Sequence, residues 1–382
     1  MTPQPFYKIY LTVQDLPQSW DELGENIFLK TSYLIGQETA LPSNMKIYYV
    51  AFFIENRLEG KCIFQRIELN SASLFKEEKK NITKRIMRIL DSNMLCLGNI
   101  KLTGEHVFEL SNRLEINDLV SLIKVVVQEI KGLSNEEKKP IQLLLVKDFY
   151  ENKLAQAQAV FKNYHTLSVE PNMELGLRAE WLTFDDYLAS LKTKYRTRAK
   201  NAFKKAEDLE FRNLNHQEIG HYQDKIYQLY LNVLNNISFS PYQLPPNYFV
   251  VMKATMQKDY QFFAGFHKGE LICFYTLIHN QKTLETGFLK YDSALQQAMQ
   301  LYLNMLYRML DYGINHRFKT IIFSRSAIEI KSSIGAEPIA SYGLLKHTNP
   351  ILNKGLKLIF NQFYEPKNFI PRNPFKNVER VN

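Results

Sequence analysis

The stretch YQFFAGFHKGELICFYTLIH, residues 260–279, carries the most information about the fold of this chain. Two runs rich in aromatic and aliphatic residues flank Lys268-Gly269, and a short polar pair with a glycine between two such runs favours a tight hairpin turn. The segment therefore predicts two antiparallel strands.

The residues after this hairpin alternate between strand and helix patterns. KTLETGFLKYD at 282–292 predicts a third strand, and KTIIFSR at 319–325 predicts a fourth. Between them, residues 294–312 have the periodicity of a long helix that Gly313 would end. A final strand is expected over 336–347. This order is typical of an α+β (mixed α/β) fold, in which helices flank a mixed and largely antiparallel sheet.

A second stretch of the same kind lies near the start of the chain. Residues 46–66 show another pair of strand patterns, in which the first strand is again rich in aromatic residues and the second contains small residues and a cysteine. We interpret the two hairpins as an internal duplication of one supersecondary unit. Elsewhere in this half, residues 77–91 and 116–130 predict helices, and the apolar run 141–149 predicts a buried strand.

A basic stretch precedes the second hairpin. Residues 192–205 hold seven basic side chains and no acidic one. Thr183 is a suitable helix N-cap, and apolar residues then recur every three or four positions, so one stripe of a continuous helix would face a core. We expect Arg196 and Arg198 to lie near an interdomain cleft and to bind an anionic group. A solvated charged face is the alternative.

The charge of the chain is concentrated in two places. The 382 residues include 48 Lys and Arg against 39 Asp and Glu, a net charge of +9. The excess lies in residues 192–205 and 346–382, and the remainder is slightly acidic. Local patches of this kind favour two anion-facing surfaces over a surface that coats nucleic acid.

The cysteines and histidines do not suggest a metal site. Cys62, Cys96 and Cys273 are far apart in apolar surroundings, which predicts reduced core residues. The histidines lack the spacing of metal ligands, so no metal is expected. The first residues lack a signal-sequence pattern, and no apolar run reaches the roughly 18 residues of a membrane span. A cytoplasmic location without membrane insertion is therefore expected.

Three segments in order carry a family resemblance: FFAGFHKGELICFYTL, the run from ETGFLKYD to KTIIFSR, and EIKSSIGAEPIASYGLL. They resemble the FemAB-like and BioF2-like acetyltransferase group of the GNAT superfamily, in which two GNAT domains lie in tandem. The resemblance covers about residues 180–350, and the first half only through its hairpin. It implies tandem GNAT-like domains over 1–170 and 171–350, followed by a basic tail over 351–382.

The same resemblance implies an enzyme that transfers an acyl or aminoacyl group to an amine, such as that of a peptidoglycan precursor. Acyl-CoA or aminoacyl-tRNA would be the co-substrate, with no bound cofactor. CoA-binding GNAT proteins have a glycine-rich turn after the third strand, where backbone N–H groups hold the pyrophosphate. Residues 291–298 contain no glycine here, and Asp292 adds a negative charge. This departure favours aminoacyl-tRNA or another carrier.

Such a transfer needs few side chains, because orientation alone lowers the barrier by several kcal/mol. Gly287 is a candidate for a strand bulge that turns a backbone N–H towards the acyl carbonyl. A glycine beside a bulky neighbour is the alternative. Tyr291 and Tyr302 are candidates for proton relay or for hydrogen bonding to substrate, although the chain has 22 tyrosines and most must serve elsewhere.

Lys331 is the leading catalytic candidate. It lies between the fourth strand and Gly335, where FemAB-like sequences place a lysine and a glycine, and Arg325 is nearby. Together Lys331 and Arg325 would hold a phosphate or carboxylate. A solvated loop lysine is the alternative, and Glu329 is a weaker candidate base. In either case Lys331 is expected to be exposed, so that its replacement by alanine leaves the melting temperature nearly unchanged.

Two other functions stay open at this point. A GNAT-like protein without activity would use its basic patches to bind a nucleic acid or an anionic membrane surface. The apolar stripe beside the basic stretch argues for a packed helix instead. An inactive GNAT pair retained for binding would fit the missing glycine turn.

Overall fold

A computed structural model describes residues 4–69, 91–234, 240–363 and 370–376 of the chain. The helix predicted over 77–91 lies outside these residues, apart from Asp91.

The chain forms two compact units. Unit 1 consists of residues 1–169, 237–248 and 340–366, and unit 2 of residues 170–236, 249–339 and 367–382. Residues 340–350, predicted to belong to the second domain, thus join unit 1, and the predicted tail over 351–382 is divided between the units.

The strands are numbered along the chain. They are β1 (Phe6–Tyr10), β2 (Met45–Ile54), β3 (Arg57–Leu69), β4 (Ser92–Leu97), β5 (Phe108–Leu110), β6 (Ile141–Tyr150), β7 (His165–Gly176), β8 (Leu209–Asn213), β9 (Tyr260–His267), β10 (Glu270–Asn280), β11 (Thr283–Tyr291), β12 (Thr320–Ile322) and β13 (Glu337–His347).

The α-helices of the described residues are numbered in the same way. They are α1 (Thr31–Thr39), α2 (Ile116–Glu136), α3 (Glu151–Val160), α4 (Phe184–Ser190), α5 (Thr193–Lys205), α6 (His216–His221), α7 (Gln223–Leu234), α8 (Tyr248–Met256), α9 (Ser293–Met299), α10 (Leu301–Asn315), α11 (Ile328–Ser332) and α12 (Pro350–Phe363).

The two units order their strands in the same way. In unit 1 the order is β1-β2-β3-β4-β6-β13, with β5 beside β3, and neighbours are antiparallel except β4 and β6. In unit 2 it is β8-β9-β10-β11-β12-β7, and neighbours are antiparallel except β11 and β12. The hairpins at 46–66 and 260–279 thus hold equivalent places, as the duplication requires.

Both hairpins turn through residues with positive φ. These are Glu55 and Asn56 in the first hairpin and Lys268 and Gly269 in the second. Two successive residues of this conformation match the right-handed twist of the strands they join. The hairpin predicted over 260–279 is confirmed together with its turn.

Two predicted helices are interrupted. The helix expected from Thr183 through the basic stretch breaks between α4 and α5, because Leu191 is extended and forms a β-bridge with Phe375. The helix expected over 294–312 breaks at Gln300, which adopts a left-handed conformation. Gly313 does not end that helix; a side chain there would collide with Ile321. The apolar stripe of the basic helix nevertheless packs in the core, as predicted.

The three cysteines are buried and unpaired. Burial raises the pKa of Cys273 to about 12, so its thiol stays protonated. Among the described residues, no group of three or more His, Cys, Asp or Glu side chains could hold a metal ion. In the same part of the chain, no helix combines the length and the apolar character needed to cross a membrane.

Candidate active site

The parallel strands of unit 2 part early. Their paired residues are Thr283 with Thr320, Leu284 with Ile321, and Glu285 with Ile322. Strand β11 continues to Tyr291, whereas β12 ends and the loop 323–327 begins. Beyond residue 285, no described strand pairs with this side of β11. Ligands of open α/β sheets bind beyond the carboxyl ends of parallel strands, so this is the candidate site.

Gly287 lies in a bulge of β11, as predicted. The register with β10 shifts opposite Thr276, between the pairs formed by Tyr275 and Leu277. The Thr276 hydroxyl accepts a hydrogen bond from the Phe288 N–H at 2.8 Å. The same hydroxyl occupies the place that a Cβ at Gly287 would take. The glycine is therefore needed locally, and its role towards a substrate stays a prediction.

Tyr291 and Tyr302 lie side by side. Their ring centroids are 6.1 Å apart, edge to face. Burial raises the pKa of both hydroxyls, and the neighbouring Tyr291 raises that of Tyr302 further. Both stay protonated at neutral pH, so they can donate hydrogen bonds but cannot act as bases.

Lys331 is buried, contrary to expectation. Only 4% of the residue is exposed, and its Nζ donates to the carbonyl oxygens of Ser324 at 3.2 Å and Arg325 at 2.6 Å. Burial lowers the pKa of Lys331 from its ordinary 10.5 to about 7, although the carboxylate of Glu170 opposes this shift. The alternative of a solvated loop lysine is wrong as well.

Lys331 holds a strained loop. Ser324, Ser326 and Ala327 all have φ between 50° and 66°, a conformation that non-glycine residues rarely adopt. Such strain persists where the surroundings hold it and is concentrated at functional sites. Through its hydrogen bonds to two carbonyl oxygens, Lys331 thus fixes the backbone from which the half-buried Arg325 side chain extends. Glu329, the weaker candidate base, forms an ion pair with Arg372 at 3.0 Å.

The basic helix α5 directs its charges outwards. Ala199 and Ala202 are fully buried, whereas Arg196 is half-buried and Arg198 exposed. No acidic side chain of the described residues forms an ion pair with a basic residue of α5 or with Lys192. Arg198 lies close enough to Tyr307 to oppose the effect of burial, which raises the pKa of that hydroxyl to about 12. Several cations thus remain available to an anionic ligand.

Asn304 ties this helix to the break at Gln300. Its buried side-chain amide donates to the carbonyl oxygens of Ala202 at 2.9 Å and Met299 at 3.0 Å. The residue was not among the predicted site residues. In the sequence, Asn304 could have been noticed as the one amide side chain inside the largely apolar run LYLNMLYRML.

The C-terminal segment 370–376 contacts both Lys192, the residue before α5, and α11. Lys192 N–H donates to the Pro374 carbonyl at 2.8 Å, and Arg372 N–H donates to the Ser332 hydroxyl at 2.9 Å. The Phe375 ring lies where a side chain at Gly335 would go. No local sequence pattern marks these contacts, because their partners lie at least forty residues away in the chain.

Lys290 is a further buried cation that sequence reasoning missed. It is 8% exposed, and its ammonium lies 5.4 Å from the ring centroid of Tyr230 and 5.9 Å from that of Phe288. Burial lowers the pKa of Lys290 to about 8. In the sequence, Lys290 could have been noticed because it lies two residues after Phe288 on a predicted strand. Side chains two residues apart on a strand lie on the same face of the sheet.

Residues 122–366 match the FemAB-like family, which is described by peptidoglycan biosynthesis and recognition. The chain belongs to the FemAB-like family. No curated protein matches it.

Two solved structures resemble the FemAB-like chain in fold. FemX aligns with a TM-score of 0.53 at 10% identity, covering 92% of this chain and all of FemX. A tandem GNAT protein from the clavulanic acid biosynthesis pathway aligns with a TM-score of 0.50 at 10% identity, covering 91% of this chain and 99% of that protein. The expected mixed fold and the FemAB-like resemblance are confirmed, and the family supports a transferase.

Proposed function

We propose that the chain is an aminoacyltransferase that moves an aminoacyl group from tRNA to an amine of a peptidoglycan precursor. The observation that carries the choice of donor is the outward face of α5, whose cations have no acidic partner among the described residues. Unpaired arginines and lysines on one helix suit the repeated phosphates of a nucleic acid.

The start of α9 supports the same choice. Asp292 caps this helix, and its Oδ1 accepts a hydrogen bond from the Ala294 N–H at 2.9 Å. A carboxylate thus occupies the helix terminus where CoA-binding relatives would hold a pyrophosphate, and its charge repels a second anion. Acyl-CoA is therefore the less favoured donor.

The reaction needs little from the protein beyond orientation. The acceptor nitrogen bonds to the aminoacyl carbon, the ester bond to the ribose oxygen breaks, and that oxygen takes up the proton the amine loses. We assign phosphate binding to Arg196 and Arg198, and hydrogen-bond donation to Tyr291 and Tyr302, whose hydroxyls stay protonated. Lys331 holds the loop that carries Arg325 beside the open edge of β11.

Transfer from two donors tests this assignment. The full chain is incubated with the soluble peptidoglycan precursor pool and either total tRNA charged with labelled amino acids or labelled acetyl-CoA. We expect label to enter the precursors from tRNA and uncharged tRNA to compete. Label from acetyl-CoA alone would overturn the choice of donor. tRNA binding without any transfer would favour the non-catalytic alternative.

A further inference from the structure

Lys101 in unit 1 holds its charge inwards. The residue is half-buried, yet its Nζ has almost no contact with solvent and no hydrogen-bond partner in the described part of the chain. Surface lysines ordinarily bury the aliphatic stem and leave the ammonium in water. In Lys101 the ammonium is the buried part and the rest of the residue is partly exposed, so its charge lies in the interior of unit 1.

The loop that carries Lys101 is held rigidly. After β4, Gly98 turns the chain with a φ of +105°, and Lys147 Nζ donates to the carbonyls of Asn99 at 3.1 Å and Ile100 at 3.4 Å. The Lys101 N–H donates to Asn99 Oδ1 at 2.9 Å. A loop whose backbone is held in this way needs little further ordering when a ligand binds.

Gln65 supplies a second donor beside this loop. The residue is fully buried on β3, and its Oε1 accepts a hydrogen bond from the Ile100 N–H at 2.7 Å. Its Nε2 is buried and, in the part of the chain that the structure describes, has no acceptor. Buried polar groups are almost always hydrogen-bonded, and each exception calls for an explanation. The two donors without an acceptor here are Lys101 Nζ and Gln65 Nε2. Gln65 is hydrogen-bonded to Ile100, the residue before Lys101.

We propose that Lys101 and Gln65 form a binding site in unit 1 for a small ligand with a carboxylate group. A carboxylate offers only acceptors and one negative charge, which matches one ammonium and one amide donor. Neutral acceptors would leave the buried charge uncompensated.

The surroundings of the ammonium fit this ligand. The Tyr248 ring centroid lies 5.3 Å from Lys101 Nζ and provides an apolar wall. Burial lowers the pKa of Lys101 to about 7, and no acidic group among the described residues offsets the loss of water. An arriving carboxylate would supply that missing partner. The inference concerns unit 1 and does not rest on the transferase proposed for unit 2.

Binding of N-acetylalanine to the full chain tests the site, with N-acetylalanine amide as the uncharged probe and isothermal titration calorimetry as the readout. We expect the acid to bind and the amide not to bind. Lys101→Met keeps most of the side-chain volume and should weaken binding of the acid at least tenfold. Lys124→Met, at an exposed position of α2, is the matched control and should leave binding unchanged.

The melting temperature provides a second, independent readout. Lys101→Met removes a buried charge that lacks a hydrogen-bond partner among the residues that the structure describes. The unliganded variant should therefore melt a few degrees higher than the wild type, while Lys124→Met should not change the melting temperature. Should Lys101→Met fail to fold, Lys101→Gln takes its place. Absence of binding to the wild type or equal binding by the variant would overturn the proposal. So would a variant that folds but melts below the wild type, since Lys101 would then be a structural cation over Tyr248.

Discussion

Units 1 and 2 share one strand order but use their parallel strand pair differently. In unit 1, β4 stays paired with β6 to its last residue, Leu97, and the loop beyond it turns a lysine inwards. In unit 2, β11 runs six residues past its last pairing with β12. An unpaired strand edge offers backbone hydrogen bonds to an extended ligand. At equivalent positions, unit 1 therefore has a fully paired strand followed by a loop with buried polar groups, whereas unit 2 has a strand edge that is unpaired among the described residues.

The two units also differ in how they satisfy their cations. Unit 2 exposes most of the charges of α5 and binds its buried Lys331 to two carbonyl oxygens. In unit 1 the fully buried Lys61 contacts the Trp20 carbonyl and Glu109. Lys101, by contrast, has no hydrogen-bond partner in the described part of that unit. Burial costs a charged group several kcal/mol unless it is paired. Duplicated folds can therefore diverge by changing where cations are left unsatisfied.

The largest expected effect is on the free energy of unfolding, which should depend strongly on the buried Lys331 and little on the exposed cations of unit 2. Lys331→Ala removes the donor to the Ser324 and Arg325 carbonyls and leaves a cavity, so we expect a loss of about 3 kcal/mol in the free energy of unfolding. Urea denaturation measures it. Lys200→Ala, at an exposed position of α5, is the control and should change the value by less than about 0.5 kcal/mol. Equal effects of the two substitutions would show that Lys331 is not held as described.

The second prediction concerns the outward charges of α5. Arg196→Gln together with Arg198→Gln should weaken tRNA binding roughly tenfold to a hundredfold, because each charge-assisted contact contributes about 1.5–3 kcal/mol and part of each is recovered in water. The dependence of affinity on salt should flatten as well. Filter binding at several salt concentrations measures both quantities.

The control for the double substitution in α5 is a variant that loses the same amount of positive charge from unit 1. Lys124→Gln with Lys162→Gln changes two exposed positions there. If that variant lost tRNA affinity to the same extent, the difference drawn between the units would be wrong, and net charge alone would govern binding.

The third prediction concerns the segment 370–376. Gly335 has a φ of +104°, and a side chain there meets the Phe375 ring, so Gly335→Ala should cost about 2 kcal/mol of stability. Phe375→Ala should cost a similar amount by itself. The double variant should lose less than the sum, because removal of the ring relieves the collision. Strict additivity in thermal unfolding would contradict this contact.

The last prediction concerns the dependence of stability on pH, where the change over a single pH unit is smaller than the effects above. The folded-state pKa of Lys331, about 7, lies below its ordinary 10.5, so between these values the unfolded chain binds a proton that the folded chain does not. Stability should therefore rise with pH above about 7, by about 1.4 kcal/mol per pH unit for this group. Lys331→Met should remove that part of the slope in urea titrations between pH 7 and 9. An unchanged slope would mean that Lys331 is fully protonated in this range.

Much of the fold could be predicted from the chain alone. The two hairpins follow from strand-like runs around a turn, and the apolar run 141–149 forms the predicted strand, β6. The apolar stripe of α5 is buried as its periodicity predicts. These features depend on residues a few positions apart, which is the range over which hydrophobic period and turn chemistry act.

Part of the candidate site was also visible in the sequence. The glycine in a strand pattern indicated the bulge at Gly287, and the negative charge of Asp292 before α9 was visible as well. That Asp292 caps α9 was seen only in the structure. Tyr291 ends β11 and Tyr302 lies at the start of α10, so their closeness follows from the way α9 connects the two elements. The family resemblance rested on the order of such segments.

The tertiary structure alone decided which charges are buried and what satisfies them. Lys331 and Lys194 are both lysines on helices, yet one is buried and the other exposed. The break before α5 depends on Phe375, far along the chain. Burial and pairing arise from contacts between distant residues, and neither periodicity nor propensity carries information about which distant residues will meet.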